Sequence, residues 1–435
     1  MADNGERMKE TPVTRKKSAP QSWGRNGLIA ALDIGTTKVC CFIARPSDDQ
    51  GLRVVGIGHQ ASRGLRGGAF VDLDAAELTI RATVEAAERM AGENISHVTV
   101  NVSAGMPRSR LIAYEVSVAG HEISDADLRR FLDPVGLGSE VPDDHEVIHA
   151  VPVGYSIDGC RGVRDPRGLF GQRLGVNLHL ITAASGAVRN LATAVNRCHL
   201  EIAGKAVSPY ASALGCLVED ETALGVTLID MGGGTTSIAV FFDAELVFTD
   251  NIPVGGSHVT NDLARGLSTP LAQAERMKTL YGSCLPTQSD DRQLIEVPPI
   301  SDDGTGESGQ VPRSMLVSIV RPRLEETFEI VRARLEEAGL DRAAGRQVVL
   351  TGGASQIAGA PELAGMILDK QVRVGRPRPI RGLPEAATGP AFTTCAGLLH
   401  HALNQPPEGV YGTYRPAEEP ISRFGRFGQW LRENF

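Results

Sequence analysis

Two short stretches each place an aspartate at the end of an apolar run and follow it with glycine and threonine. One is Asp33-Ile34-Gly35-Thr36-Thr37-Lys38, the other Asp230-Met231-Gly232-Gly233-Gly234-Thr235-Thr236. A glycine after a strand lets the backbone approach a phosphate closely. Exposed N–H groups and threonine hydroxyls then hydrogen-bond its oxygens in a nest-like concavity. An aspartate ending the strand suits Mg²⁺, which keeps several of its waters. Two such hairpins facing across a cleft would clamp the phosphates of a nucleotide from both sides. A third stretch, Leu350-Thr351-Gly352-Gly353-Ala354-Ser355-Gln356-Ile357, leads from an apolar run through two glycines toward a helix. Glycine there lets the backbone lie flat against a purine or ribose. Each stretch alone also reads as a tight turn, and none is a Walker A or G-x-G-x-x-G sequence. Their matching Asp and Thr, and their order, carry the signal.

The elements that must position these residues are legible as alternating strands and helices. Residues 28–44 and 223–242 both read strand, turn, strand, and ALDIGTTKVCCFIA aligns with TLIDMGGGTTSIAVFF. The spacing is too long for a solenoid, whose repeats run ~20–50 residues, and suggests two related domains. Stretches 75–91 and 187–198 read as helices, and 97–102 and 178–183 as strands, an α/β signature. Residues 103–182 differ in texture. Short strands at 111–118 and 146–153 and a helix after Ser124 suggest an inserted small α+β subdomain. Residues 283–312 are polar and rich in Pro, Gly, Ser and Asp, and predict a long flexible loop before a helix over 314–339.

Composition bounds the class. The chain has 435 residues, 42% hydrophobic and 22% charged, with 49 Gly and 25 Pro, which excludes collagen, coiled coil and whole-chain disorder. A net charge of −8 argues against a dedicated nucleic-acid binder. The seven cysteines form no C-x-x-C pair, so a zinc site or secreted disulfide framework is not expected. No run reaches the ~18 apolar residues of a spanning helix. Residues 1–26 are charged and poorly apolar, and predict a disordered tail without the apolar core of a secretory signal.

The C-terminus is a separate problem. Residues 405–420 are rich in Pro and Gly and read as a linker. On a helical wheel of 421–435, Ile421, Phe424, Phe427, Leu431 and Phe435 fall within roughly 120°, with Trp430 at the border. Arg423 and Arg432 flank this face, and Arg426 lies opposite with Ser422, Gln429 and Glu433. Aromatic anchors with flanking arginines are the pattern of a helix lying in the plane of an anionic membrane surface. The competing readings are a partner's groove or packing against the protein's own body.

The order of the three glycine stretches resembles the actin/Hsp70/sugar-kinase superfamily of ATP-binding proteins. The match is closer to the FtsA family of bacterial cell-division proteins. It is carried by Leu32-Asp33-Ile34-Gly35-Thr36, by residues 225–240, by Val259-Thr260-Asn261-Asp262-Leu263-Ala264 with Ala274-Glu275-Arg276-Met277-Lys278, and by Val349-Leu350-Thr351-Gly352-Gly353-Ala354. It covers residues 28–435. The resemblance implies an actin-like two-lobed ATPase fold. Subdomain 1A would be 27–102 with 183–218 and 391–404, and 1C would be 103–182. Subdomain 2A would be 219–255 with 345–390, and 2B 256–344. It implies Asp33 and Asp230 at Mg²⁺, and Gly35, Thr36, Thr37, Lys38, Gly232, Gly233, Gly234 and Thr235 at the phosphates. Gly352, Gly353 and Ser355 would lie against the adenosine, and Glu275 and Lys278 beside the base or ribose. The partners it implies are the tubulin-like division GTPase FtsZ, further copies of the chain in an actin-like protofilament, other division proteins and the membrane. The place is the cytoplasmic face of the inner membrane, at the septum and its Z ring.

One departure concerns hydrolysis. Actin-like ATPases orient the attacking water with a Gln or Glu shortly before the segment matching Pro209-Tyr210-Ala211-Ser212, but Ala203-Gly204-Lys205-Ala206-Val207 has neither. A positioned base is worth ~10²–10⁴-fold, so the expectation is ATP binding with slow or absent turnover and no catalytic residue. The alternatives are another bacterial actin-like filament protein, a soluble sugar kinase or exopolyphosphatase, and an Hsp70-like chaperone. The kinase needs a substrate-directed carboxylate that the sequence does not offer. The chaperone needs a substrate domain for which too few residues follow His401.

Overall fold

The computed structural model describes residues 27–47, 51–129, 141–300, 308–341 and 344–404. Two five-stranded sheets within it share one topology. In the first, Leu52–Ala61, Lys38–Pro46 and Ile29–Ile34 form an antiparallel meander, to which His97–Val102 and Glu201–Val207 add in parallel. In the second, Glu245–Ile252, Thr236–Phe242 and Val226–Met231 form the meander, and Gln347–Thr351 and Gln371–Val374 add in parallel. The likeness of the two Asp-Gly-Thr stretches therefore extends to whole sheets. Their central strands, IAALDI and VTLIDM, are buried at every position, as strands covered on both faces must be.

Each sheet is clad outside by helices and faces the other across a pair of inner helices. Leu73–Ala91 and Ser185–Arg197 cover the outer face of the first sheet through Ile80, Val84, Val188 and Leu191. The first of these starts two residues before the sequence suggests, because Asp72 Oδ1 accepts from the N–H groups of Asp74 and Ala75 at 3.1 and 3.0 Å. The second sheet is covered by Gly256–Gly266, Arg313–Glu337 and Ala360–Leu368 around Phe328. Between the sheets, Thr393–Asn404 packs on the first and Ser208–Cys216 on the second. These two helices cross at Gly215 and Gly397. A Cβ on Gly397 would lie 1.7 Å from the Ala211 carbonyl oxygen, and one on Gly215 2.3 Å from that of Thr393.

The inserted segment is a four-stranded antiparallel sheet, in the order Arg108–Ser117, Arg173–Ala184, His145–Ile157, Cys160–Val163. It has its own small core around Tyr114, Leu174 and Leu178. Its strands run longer than the sequence suggests. His179 is buried and His149 half-buried on it, and desolvation pushes both rings down to about 3, so they are neutral at pH 7. His149 Nε2 accepts from the Val207 N–H at 3.0 Å, and its ring meets the edge of Tyr210 at 5.3 Å.

One expectation is corrected. The 283–312 stretch is not simply a flexible loop, because Leu294–Val297 pairs with Gly309–Pro312. Asp290 anchors it, accepting from the Thr287 N–H and hydroxyl, each at 2.7 Å, and pairing with Arg313. A single buried carboxylate with three donors outweighs the loop-forming composition. Pro322 lies within Arg313–Glu337. Cys40, Cys41, Cys216, Cys284 and Cys395 are buried free thiols.

Candidate functional site

The C-terminal ends of the two central strands open into one cleft of about 610 Å³ between the lobes. In the first hairpin the Gly35 N–H donates to the Lys38 carbonyl at 2.9 Å and closes the turn. The Thr36 hydroxyl accepts from the Gly68 N–H at 2.9 Å. In the second hairpin the Gly232 N–H donates to Thr235 O at 2.9 Å. The carbonyls of Gly232 and Gly233 accept from the N–H groups of Gly256 and Ser257 at 2.9 and 2.8 Å, which fixes the loop on the helix behind it. The two hairpins touch. A Cβ on Gly233 would lie 2.4 Å from Thr37 Cγ2, and one on Gly234 2.4 Å from Thr36 Oγ1. Glycine is needed here for closeness rather than for a positive φ.

Asp33 and Asp230 end the paired strands and are 7% exposed each. Burial pushes the Asp33 carboxyl up to about 6, against the pull of Lys38 and with a further push from Asp230. Burial also raises Asp230, but here Ser212 Oγ donates to Oδ2 at 2.7 Å and Thr394 Oγ1 at 3.3 Å. Two desolvated carboxylates with a single ammonium between them make a site that a hard cation would relieve. Their donor set is all oxygen, as Mg²⁺ prefers. Among the described residues no three His, Cys, Asp or Glu cluster as ligands, so phosphate and water oxygens would complete the shell. Lys38 Nζ donates to the Ala391 carbonyl and stands 3.8 Å over the Phe392 ring, a cation–π contact that ties the first hairpin to the 390–392 turn.

The third stretch closes over Asp230. Gly352 has φ +84°, and a Cβ there would lie 2.4 Å from Asp230 Oδ1 and 2.5 Å from Met231 O. Gly353 borders open cleft, with nothing nearer its Cβ position than Ala391 at 3.9 Å. Ser355 is placed differently. Its hydroxyl donates to Gly352 O at 2.7 Å, and it is 2% exposed and absent from the cleft wall, so it braces the turn. Glu275 and Lys278 do line the cleft and pair at 2.7 Å; Lys278 Nζ also donates to Thr260 Oγ1 at 2.9 Å and Gly256 O at 3.1 Å.

Several cleft residues had no local signal. Asn101, the penultimate residue of its strand, lies beside Ile34, accepting from the Ile34 N–H at 2.7 Å and donating to Ser208 Oγ at 3.1 Å. Ser103, Ser208, Arg313 and Thr394 also line the wall. The Glu201–Val207 strand ends at the cleft and supplies no carboxylate there. Glu201 lies at its far end beside His97, 3.2 Å away, and Lys205 pairs with Glu146 at 2.7 Å. The predicted membrane-facing residues, Ile421 to Phe435, lie outside the described residues. Among the described ones no helix is long and apolar enough to cross a membrane.

Comparison with known proteins gives a consistent answer. The family model "Cell division protein FtsA" matches residues 227–397, and "SHS2 domain inserted in FTSA" matches 105–182, over the inserted sheet. The chain is similar to the cell division protein FtsA of Rhizobium meliloti at 45% identity, covering 97% of this chain and 98% of the relative. Against that of Pseudomonas aeruginosa the identity is 36%, and against that of Escherichia coli 31%, each over 94% of this chain and 98% of the relative. Among solved structures it resembles one titled PilM-PilN type IV pilus biogenesis complex, with TM-score 0.62, 15% identity and coverage of 87% and 99%. It also resembles MreB5 of Spiroplasma citri bound to ADP, with TM-score 0.52, 14% identity and coverage of 86% and 95%. These two likenesses confirm the actin-like fold.

Proposed function

The chain belongs to the FtsA family of cell-division proteins, and from that premise we propose that it is an ATP-binding adaptor that holds the FtsZ ring on the cytoplasmic membrane. The observation that carries the nucleotide part is the pair of touching hairpins with Asp33 and Asp230 buried at one cleft. Gly35 to Lys38 and Gly232 to Thr235 would take the phosphates, and Asp33 and Asp230 would hold Mg²⁺ through its waters. Gly352 and Gly353 would back the adenosine, with Glu275 and Lys278 at its rim and Ser355 bracing the turn. Bound Mg²⁺ would neutralise phosphate charge. Lys38 would fix the first hairpin against the 390–392 turn, and Ser212 and Thr394 would hold the Asp230 carboxylate aimed into the cleft. The Glu201–Val207 strand ends in Ala206 and Val207, which offer the attacking water neither a carboxylate nor an amide. Binding without efficient turnover is therefore the expected chemistry, and the nucleotide acts by holding the lobes together.

The subdomain division 1A, 1C, 2A and 2B at the boundaries given above is part of this proposal. So is self-association into an actin-like protofilament. The membrane part rests on the aromatic and arginine pattern of Ile421 to Phe435. Co-sedimentation with anionic vesicles tests it, comparing the full chain with one ending at Glu419. Pelleting of the full chain alone supports the anchor, with graded loss in Phe427→Glu and Arg426→Glu. If both forms stay in the supernatant the anchoring role is wrong, and the tail becomes a partner-docking segment.

A further inference from the structure

A second cavity of about 500 Å³ adjoins the first and shares only Thr36 and Gly234 with it. It too is walled by both lobes, by the 65–67 turn of the first and the Gly256–Gly266 helix of the second. Its lining is basic, with Arg66, Arg265 and Arg323 against Asp262, whereas three carboxylates and three cations line the Asp33–Asp230 cleft. Asp262, the one carboxylate in its wall among the described residues, is taken up by Arg323, whose Nε and Nη2 reach it at 2.6 and 3.2 Å. Arg66 and Arg265 line the cavity from opposite lobes, and neither forms an ion pair among the described residues. His258 Nδ1 accepts the Gly255 N–H at 3.1 Å, so the neutral ring carries its proton on Nε2 and offers a donor to the same space. The Ser257 hydroxyl and the Asn261 amide complete the polar wall.

We propose that this pocket binds a tetrahedral phosphate dianion, free or as the terminal group of an ester, between Arg66 and Arg265. Two guanidinium forks and short neutral donors match phosphate geometry. A ligand held from both lobes also favours the closed cleft, so it and a nucleotide would raise each other's affinity by one common factor, as linkage requires. The inference goes beyond the nucleotide reading: phosphate binding itself does not depend on it, because Arg66 and Arg265 do not line the first cleft, while the coupling to nucleotide rests on it.

The test uses the full chain. Inorganic phosphate and glycerol 3-phosphate are titrated calorimetrically, side by side, into protein saturated with a non-hydrolysable ATP analogue, so that the Asp33–Asp230 cleft is occupied. Saturation itself is followed with a fluorescent ATP, which reports separately on the first cleft. Saturable phosphate binding is expected, weakened about tenfold or more in Arg66→Ala/Arg265→Ala, while fluorescent-ATP affinity of that variant without phosphate stays within about twofold. Saturating phosphate should slow fluorescent-nucleotide release about fivefold or more in the parent only. Should the nucleotide not bind, the phosphate titration is repeated in Lys38→Ala, where Arg-dependent binding must persist. Phosphate binding that is equal in the double variant, or absent in the parent, overturns the proposal. So does Arg-dependent binding of a glutamate-rich peptide with no response to phosphate, which would make the cavity a peptide-docking site.

Discussion

Asp33 and Asp230 descend from matching strands of matching sheets, yet their surroundings differ. Asp230 is hemmed in. Two hydroxyls from the inter-sheet helices donate to it, and Gly352 crosses within a bond length of where a methyl would strike it. Asp33 has the Lys38 charge nearby and is pushed up to about 6. Matching sheets carry two copies of one motif. The packing around each then made one a fixed part of the framework and left the other an electrostatic vacancy facing the cleft.

The sharpest way to break that contrast is Gly352→Ala. At φ +84°, with Asp230 Oδ1 2.4 Å away, the new methyl must displace the carboxylate or the turn. A stability loss of ~2–4 kcal/mol is expected, and ATP affinity should fall about a hundredfold or more, read by fluorescent-ATP titration and thermal unfolding. In the first hairpin, Gly35→Ala meets only the Lys38 carbonyl at 2.9 Å, and should cost about 1 kcal/mol.

The next effect is in pH. The buried Asp33 carboxyl is protonated more readily in the fold than in the unfolded chain, where the ordinary value is 3.8 against about 6 here. Without Mg²⁺, the Asp33 contribution to stability should be fully present below pH 3.8 and be lost, by about 3 kcal/mol, as pH rises through 6. Denaturant titrations across pH 3.5–7 in EDTA check this. Asp33→Asn should flatten that part of the profile, and so should Mg²⁺ with nucleotide. An unchanged profile in the variant would mean that Asp33 is not the uncompensated charge.

Ser212→Ala tests the hemmed-in side. Removing a 2.7 Å hydrogen bond to a buried carboxylate should cost ~1.5–3 kcal/mol in stability, with a smaller loss of ATP affinity. Lys278→Met should do least. Its ammonium already satisfies Gly256 O, Thr260 and Glu275, so a loss of a few-fold in ATP affinity is expected, and adenine-over-guanine preference is the more informative readout.

Legibility in the sequence followed locality. Both hairpins, the Gly352-Gly353 turn and the inserted sheet are continuous stretches with their own composition, and they stand where the pattern put them. The polar side chains that escaped notice, Asn101, Ser208 and Thr394 in the cleft wall and Ser212 behind it in mid-helix, stand singly in the chain and are brought together only by the sheet order. No local spacing announces them. Asp290 escaped for a related reason, because its donor Arg313 lies beyond the polar stretch that hid it. Ser355 taught the converse, since a hydroxyl beside a glycine pair was more useful to the turn than to the cleft.

The crossing of Gly215 and Gly397 has a mechanical consequence. Each glycine belongs to a helix riding on a different sheet, and the backbones meet with no side chain between them. A single methyl at either position is a wedge driven in at the pivot, while the phosphate-gripping tips lie out along the jaws, where a small displacement at the fulcrum is magnified. Two hydrogen atoms thus set the rest angle of the whole vice.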